Sequence, residues 1–151
     1  IQSRFYRAPE IMLGIPYTTA IDMWSLGCIV YECLTGLPIF AGENEKDQMA
    51  AIMEVTGQPP RSLLVKATRR KVFFDSDYNP ILKQNSRGKV RTPGSKPLQE
   101  LLRGHDEEIV VFLKGCFEWK PEVRLRPEQA LLTNWIQKAI TESRMKVPPK
   151  Q

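Results

Sequence analysis

The sequence has few of the side chains that bind metals or catalyse reactions near neutral pH, since its 151 residues include one histidine and three cysteines. His105 follows a glycine and has no partner residues in the sequence, which favours a surface position over catalysis. Cys28, Cys33 and Cys116 form an odd set without zinc-site spacing. We therefore expect no metal site, buried structural thiols and a reducing intracellular compartment, cytoplasmic or nuclear.

Long apolar runs are also lacking. The longest apolar-dominated stretch, residues 21–34, contains Asp22 and Glu32 and is too short to span a bilayer. The first residue is Ile1, and no charged segment or cleavage site of a signal peptide follows it, so we interpret the chain as cut from a longer protein. With 42% hydrophobic and 26% charged residues, the composition is that of one globular domain or a large piece of one.

No segment alternates as a β-strand does, whereas several segments have helical periodicity. The fold class that we predict is mainly α with one long irregular connection. Apolar residues on nearly every face of the second helix predict a buried central helix. The expected helices are Pro9 to Gly14, a capping box at Thr19 leading to Gly36, Glu45–Thr56 capped by Asn44, Ser62–Lys71, Asp106 to Trp119, Pro127–Leu132, and Asn134 to Ile140 and beyond.

The positive charge is concentrated in one segment. The chain carries a net charge of +5, and residues 61–96 alone carry +8, because Asp75 and Asp77 are their only acidic residues. The basic residues of this segment are Arg61, Lys66, Arg69, Arg70, Lys71, Lys83, Arg87, Lys89, Arg91 and Lys96. Such a segment could dock acidic peptides or nucleic acid, but a solvated loop is the commoner case, and we do not expect nucleic-acid binding. Phe73, Phe74 and Tyr78 are expected to anchor it to the core.

Three motifs carry a family resemblance. A-P-E at residues 8–10, D-M-W-S-L-G at 22–27, and Arg124 after W-K-P at 119–121 resemble the last signature blocks of eukaryotic protein kinases. The opening R-F-Y-R-A-P-E resembles the group that contains the cyclin-dependent, MAP, GSK and CLK kinases. I-Q-S-R-F-Y-R at 1–7 is similar to the dual-specificity tyrosine-regulated kinases (DYRK), and R-R-K-V-F-F-D at 69–75 resembles their class II members.

The resemblance implies structural roles for five residues. It implies that Glu10 and Arg124 form a buried ion pair, and that Asp22 accepts backbone N–H bonds from a catalytic loop that this chain does not contain. Without that loop, Asp22 should face an empty or solvent-filled cleft. Trp24 and Gly27 belong to the same central helix and are expected to pack in its core.

The resemblance also assigns the opening loop. Ser3, Arg4, Phe5, Tyr6 and Arg7 look like the loop that binds the substrate residue after the phosphorylated hydroxyl, with a tolerance or preference for Pro there. Arg4 and Arg7 look like ligands for a phosphotyrosine just before Ile1. The implied fold is the large helical lobe of a kinase at residues 1–136, with an insert at about 58–105 and a C-terminal extension at 137–151.

Kinase chemistry needs a Gly-rich loop, a strand Lys, H-R-D and D-F-G. None of these motifs occurs, so no catalytic, ATP-binding or metal-binding residue can be assigned in this segment. The resemblance implies an ATP- and Mg-dependent parent kinase that phosphorylates protein Ser/Thr, autophosphorylates on Tyr, and contains the remainder of the kinase domain. The alternative is a non-catalytic interaction module, either a pseudokinase remnant or a truncated product. We expect protein substrates as partners, with Pro after the target residue, and no membrane.

Overall fold

A computed structural model describes residues 1–145 of the chain. Within them the chain forms helices and two short 3₁₀ turns, Arg4–Tyr6 and Arg70–Val72, and the only β pairing is an isolated bridge between Phe74 and Pro80. The mainly α fold is therefore confirmed. The helices are α1 Pro9–Leu13, α2 Ala20–Thr35, α3 Glu45–Thr56, α4 Arg61–Leu64, α5 Leu98–Leu101, α6 Glu107–Cys116, α7 Pro127–Ala130 and α8 Asn134–Met145. None of these described helices is long and apolar enough to cross a membrane.

Local chemistry explains where α1 and α2 end and where α3 begins. Gly14 and Gly36 end α1 and α2 with φ of 67° and 76°, the left-handed conformation that glycine adopts without steric cost. The Asn44 side chain accepts a hydrogen bond from Asp47 N at 3.0 Å and so caps α3. The capping box expected at Thr19 is wrong. Thr19 already has helical φ and ψ, and its side chain makes no capping bond.

Helix α2 passes through the core, but it is not buried on all sides as its composition predicted. Trp24 is fully buried, stacked on Phe40 with ring centroids 5.5 Å apart and meeting the edge of Phe117 at 5.2 Å. On another face, Leu26 and Ile29 are 39% and 50% exposed. An apolar strip of α2 is thus left without cover by residues 1–145.

Close packing of α2 against α6 depends on a glycine. A Cβ built at Gly27 would lie 2.7 Å from the Cβ of Cys116 and 2.9 Å from Cε1 of Phe117. These separations are shorter than van der Waals contact, so only a residue without a side chain allows the two helices to approach this closely. The predicted core position of Gly27 agrees with this packing.

The region after α3 is less helical at first than predicted. The helix expected over Ser62–Lys71 is wrong in length, because α4 ends at Leu64 and only the 3₁₀ turn at Arg70–Val72 follows. Phe73 and Phe74 are 3% and 1% exposed and anchor the segment to the core. The short helix α5 was not predicted, because its four residues form a single turn, which is too short to show helical periodicity in the sequence.

The C-terminal helices also differ from their predicted bounds. Helix α6 ends at Cys116, three residues before Trp119, and α7 ends at Ala130 rather than Leu132. The Asn134 side chain donates to Glu108 at 3.2 Å. Helix α8 continues to Met145, so the predicted boundary between residues 136 and 137 falls inside one continuous helix. Residues 146–151 of the predicted extension lie outside the described residues.

Candidate functional site

A buried ion pair joins the two ends of the family motif. The Arg124 guanidinium donates from Nη1 to Glu10 Oε1 at 2.7 Å and from Nη2 to Glu10 Oε2 at 3.0 Å, and both side chains are fully buried. Arg124 also donates to the Ala20 carbonyl at 2.9 Å and to the Glu118 carbonyl at 3.1 Å. Its guanidinium lies 5.2 Å from the ring centroid of Trp24. This bidentate pair ties α1 to α2 and to the segment before α7.

The opening loop, residues 1–7, is fastened to α2 through Gln2. The Gln2 amide nitrogen donates to Ser25 Oγ at 2.8 Å and to the Ile21 carbonyl at 3.2 Å. Its amide oxygen accepts from the backbone N–H of Ala8 at 3.0 Å. Gln2 has a φ of 60°, an uncommon left-handed backbone for a residue with a side chain. Three hydrogen bonds from one side chain therefore stabilise a strained backbone.

Ser25 completes this attachment. Its hydroxyl accepts from Gln2 and donates to the Tyr6 carbonyl at 2.7 Å. Neither Gln2 nor Ser25 was assigned a role from the sequence. Ser25 lies inside the D-M-W-S-L-G motif, which could have drawn attention to it, whereas a left-handed glutamine has no signature in sequence.

Arg7 is turned toward the backbone of the same loop. Its Nη2 donates to the Gln2 carbonyl at 2.9 Å, and its Nε lies 3.3 Å from that oxygen and 3.2 Å from the Ile1 carbonyl. The left-handed conformation of Gln2 directs its carbonyl toward Arg7. The Gln2 carbonyl is thus occupied by a cationic donor.

Tyr6 links the loop to the C-terminal half of α2. Its hydroxyl donates to Glu32 Oε2 at 2.6 Å. This bond to a carboxylate raises the pKa of the Tyr6 hydroxyl, because losing the proton would leave two negative oxygens in contact. Glu32 was not identified from the sequence.

The side chains of Ser3, Arg4 and Phe5 form no hydrogen bond to α2 among residues 1–145. Ser3 is exposed, and its carbonyl accepts from Tyr6 N at 3.0 Å within the 3₁₀ turn. The Arg4 guanidinium lies 5.7 Å from the ring centroid of Phe5. Among residues 1–145, buried Nε of Arg4 has no hydrogen-bond acceptor. Arg4 and Arg7 are both half-buried. Arg7 donates to backbone carbonyls of the loop, whereas Arg4 Nε has no acceptor among residues 1–145. Their joint binding of a phosphate stays a prediction.

Asp22 lies in the first turn of α2 and is exposed. It lines a cleft of about 1000 Å³ between the start of α2 and residues 121–136, together with apolar side chains such as Met23 and Leu26. The prediction that Asp22 would face an open cleft agrees with this position. Its role toward a catalytic loop stays a prediction.

The basic segment is only in part the solvated loop that was considered the commoner case, because some of its basic residues are paired within residues 1–145. Arg91 donates from Nε to Asp47 Oδ1 and from Nη1 to Glu54 Oε2, both at 2.9 Å, and Lys89 lies 2.7 Å from Glu54 Oε1. Arg69 holds Glu45 with two bonds, of 2.6 and 2.8 Å. These basic side chains bind acidic residues of α3, so their charges are used in packing the segment.

Burial accounts for the state of two thiols. Cys28 and Cys116 are buried, whereas Cys33 is exposed, so the expectation of three buried thiols is wrong for Cys33. Burial raises the pKa of the Cys116 thiol to about 12 and raises that of Cys28 as well, which keeps both protonated. Trp24 and Trp119 are in the core, and Trp135 packs on Phe112 with ring centroids 4.8 Å apart. His105 is exposed.

Within residues 1–145, no group of three or more His, Cys, Asp or Glu side chains could hold a metal ion.

Comparison with known proteins agrees with this arrangement. The family described as "Protein kinase domain" matches residues 1–136. The human "Dual specificity tyrosine-phosphorylation-regulated kinase 4" is 53% identical over 136 residues, which are 90% of this chain and 26% of that protein. The Drosophila melanogaster "Dual specificity tyrosine-phosphorylation-regulated kinase 2" is 51% identical over 91% of the chain and 19% of that protein.

A fission yeast relative extends the same pattern. The "DYRK-family kinase pom1" of Schizosaccharomyces pombe is 50% identical over 86% of the chain and 12% of its own length. The chain thus spans about a quarter or less of the length of these curated relatives. Since the family match covers nearly all of the chain and the A-P-E glutamate meets its distant arginine, the chain belongs to the protein kinase family, and within it to the dual-specificity tyrosine-phosphorylation-regulated (DYRK) kinases.

Proposed function

We propose that this chain forms the peptide-binding floor and the helical core of the large lobe in a DYRK-family kinase, of class II by its insert. The whole enzyme would use ATP and Mg to phosphorylate Ser/Thr in protein substrates inside the cell, and would autophosphorylate on Tyr. The observation that carries this proposal is the attachment of the opening loop to α2 through Gln2, Ser25 and Tyr6. A preformed loop binds a peptide without the entropic cost of ordering itself.

The loop geometry supports a preference for Pro after the target residue. The Gln2 carbonyl accepts from Arg7, so it is not free to accept from the backbone N–H of a bound peptide. An ordinary residue at that place would lose a hydrogen bond on burial, whereas Pro has no N–H to lose. We infer that Ser3, Phe5 and Tyr6 form the walls of this pocket beside Arg7.

Arg4 and Arg7 are proposed to hold a phosphotyrosine that the family places before Ile1. The Arg4 Nε atom has no acceptor among residues 1–145, and a phosphate oxygen would supply one. A phosphate carries a charge of about −1.5 to −2 at neutral pH and can accept from two guanidinium groups at once. Binding of this phosphate to Arg4 and Arg7 would further stabilise the conformation of the opening loop.

Asp22 is proposed to receive backbone N–H bonds from the catalytic loop of the complete domain, since its carboxylate is exposed at the rim of the cleft. The remainder of the kinase domain is thus the expected neighbour of this surface. ATP and Mg supply the phosphoryl group and its charge neutralisation, and the motifs that hold them are absent from this chain.

The test uses protein expressed from its complete coding sequence and supplied with ATP and Mg. Two peptides that differ only in Pro or Ala after the target Ser should be phosphorylated at different rates, with Pro preferred. Arg7→Met should narrow this difference several-fold, because the freed Gln2 carbonyl can then accept from the Ala N–H. Arg103→Met, at an exposed arginine outside the loop, is the matched control and should keep the preference.

Mass spectrometry of the same preparation should find phosphotyrosine. Failure to phosphorylate any peptide, together with absence of phosphotyrosine, would favour the non-catalytic interaction module instead. An unchanged Pro preference in Arg7→Met would refute the role of the Gln2 carbonyl while leaving the kinase activity itself untouched.

A further inference from the structure

A polar pocket near α4 lies outside the surfaces described above. Its volume is about 400 Å³, and Arg70, Lys71, Thr68 and Tyr78 contribute to its lining. This volume falls within the range of small-ligand pockets, roughly 300–1,000 Å³. The Thr68 hydroxyl donates to the Gly14 carbonyl at 2.8 Å, so the pocket is fixed to the end of α1.

Two positive charges lie against one aromatic ring, Tyr78, which lines this pocket. The guanidinium groups of Arg61 and Arg70 lie 4.5 and 4.2 Å from the ring centroid of Tyr78. Both separations are within the range of cation–π attraction. Cation–π attraction therefore holds both guanidinium groups against the same ring, although the two positive charges repel each other. Tyr78 itself has a φ of 68°, an uncommon conformation for a non-glycine residue.

The side-chain donors around Tyr78 find no acceptor within residues 1–145. Among residues 1–145, the side chains of Arg61, Arg70 and Lys71 form neither an ion pair nor a hydrogen bond, in contrast to Arg69 and Arg91 nearby. The Asp75 carboxylate feels the charge of Arg70 but makes no hydrogen bond to it within residues 1–145, and it accepts instead from the backbone N–H of Asp77 and Asn79 at 2.9 and 2.8 Å. An external anion would both satisfy the donors and relieve the repulsion between the two guanidinium groups.

A single compact anion fits this site better than a nucleic acid does. Binding of single strands relies on exposed aromatic rings that stack on bases. Here Phe73 and Phe74 are buried, and the Tyr78 ring is in contact with the two arginines. A phosphate monoester offers three acceptor oxygens and a charge of about −1.5 to −2, which matches two guanidinium forks.

We propose that Arg61, Arg70 and Lys71 around Tyr78 form a docking site for a phosphoserine or phosphothreonine in an acidic peptide segment of a protein partner. The site is separate from the opening loop, so it does not depend on the proposed kinase activity. It would hold a phosphorylated protein against the lobe at a place other than the substrate pocket.

The test measures fluorescence anisotropy of a short labelled Gly/Ser/Glu peptide with one phosphoserine, added to protein from the complete coding sequence. The phosphopeptide should bind more tightly than its unphosphorylated twin, and more weakly as salt rises. The double variant R61Q/R70Q should weaken binding roughly tenfold or more, because charge-assisted bonds are lost. R87Q removes one positive charge from an exposed position in the same segment and should leave the affinity unchanged.

Lys71→Gln, at an exposed residue, serves as a second variant should the double variant melt earlier than the parent, and it too should weaken phosphopeptide binding. Phosphorylation of a neutral peptide substrate should be the same in all these variants. Equal binding of the two peptides, equal loss in R87Q, or tighter binding of a single-stranded oligonucleotide through Arg61 and Arg70 would overturn the proposal.

Discussion

The guanidinium of Arg124 has no exposed surface, and its charge is balanced inside the protein by the Glu10 carboxylate at 2.7 Å. Two backbone carbonyls accept from two more of its N–H groups. A buried charge is tolerated only when it is paired and hydrogen-bonded, because the interior solvates ions poorly. This ion pair is therefore required for the stability of the lobe, and loss of either Glu10 or Arg124 should leave the other charge buried without a partner.

Replacing Glu10 by Gln, in protein from the complete coding sequence, should lower the free energy of unfolding by roughly 3–5 kcal/mol, because Arg124 would stay buried without its counter-charge. Denaturant unfolding followed by tryptophan fluorescence measures this. Glu128→Gln is the matched control, since its pair with Arg126 has side chains that are 65% and 67% exposed and should change stability little. Equal effects of the two variants would contradict a special role for burial.

At Gly27 the helices α2 and α6 are so close that only a hydrogen atom fits where another residue would have its Cβ. Gly27→Ala should destabilise the protein by about 1–3 kcal/mol, because the new methyl group would meet the Cβ of Cys116 at 2.7 Å. Gly115→Ala, whose added Cβ would lie 3.1 Å from Leu125 Cβ, should cost less. Thermal unfolding of both variants tests this order, and a Gly115 variant that melts earlier than the Gly27 variant would contradict it.

At the scale of elements, the basic segment is attached to α3 by a cluster of ion pairs. Arg91 bridges Asp47 and Glu54, which are 8% and 5% exposed. Burial alone would raise the pKa of both carboxyls, but the hydrogen bonds from Arg91 to both and from Lys89 to Glu54 outweigh it and lower both pKa values. A lowered pKa in the folded state means that ionisation of these carboxyls favours folding.

This stability is fully present above the ordinary pKa values of 3.8 and 4.5 and is lost as the pH falls through the lowered folded values. Acidification below about pH 5 should therefore destabilise the parent protein. In Arg91→Met the same acidification should lower the free energy of unfolding by less, because Arg91 no longer stabilises the ionised carboxylates of Asp47 and Glu54. Unfolding free energies measured along this pH range test the prediction, and parallel pH profiles for the two proteins would refute it.

At the scale of the whole molecule, residues 1–145 leave an apolar surface open. Leu26 and Ile29 of α2 are 39% and 50% exposed, and the cleft of about 1000 Å³ begins beside them. Contiguous exposed apolar surface favours association and loosens side-chain packing. The remainder of a kinase domain is the neighbour that we propose for it.

The chain expressed alone should therefore aggregate or form a molten globule, with strong binding of a hydrophobic dye and weak near-UV circular dichroism. The same residues within the complete coding sequence should give sharp near-UV signals and little dye binding. A cooperative melt of the chain alone, without dye binding, would show that the exposed strip of α2 needs no cover.

Much of this architecture follows from local sequence. Gly14, Gly36 and Asn44 set helix ends within a few residues of themselves, so α1, α2 and α3 could be predicted closely. The kinase motifs likewise identified the family and the meeting of Glu10 with Arg124. The bounds of α4, α6 and α7 were less accurate, because short helix ends depend on packing with distant segments.

The sequence alone determined the helical class and the family, while the substrate role that it predicted for the opening loop stays a prediction. Only the tertiary structure decided that Gln2 adopts a left-handed backbone, that Arg91 reaches Asp47, and that one face of α2 stays open. Helix periodicity and capping act between residues a few positions apart, and so they can be recognised along the chain. Side chains 23 or 44 positions apart meet only through the path of the folded backbone, as Gln2 does with Ser25 and Arg91 with Asp47. The opening loop's conformation depends on such contacts, so it could not be recognised along the chain.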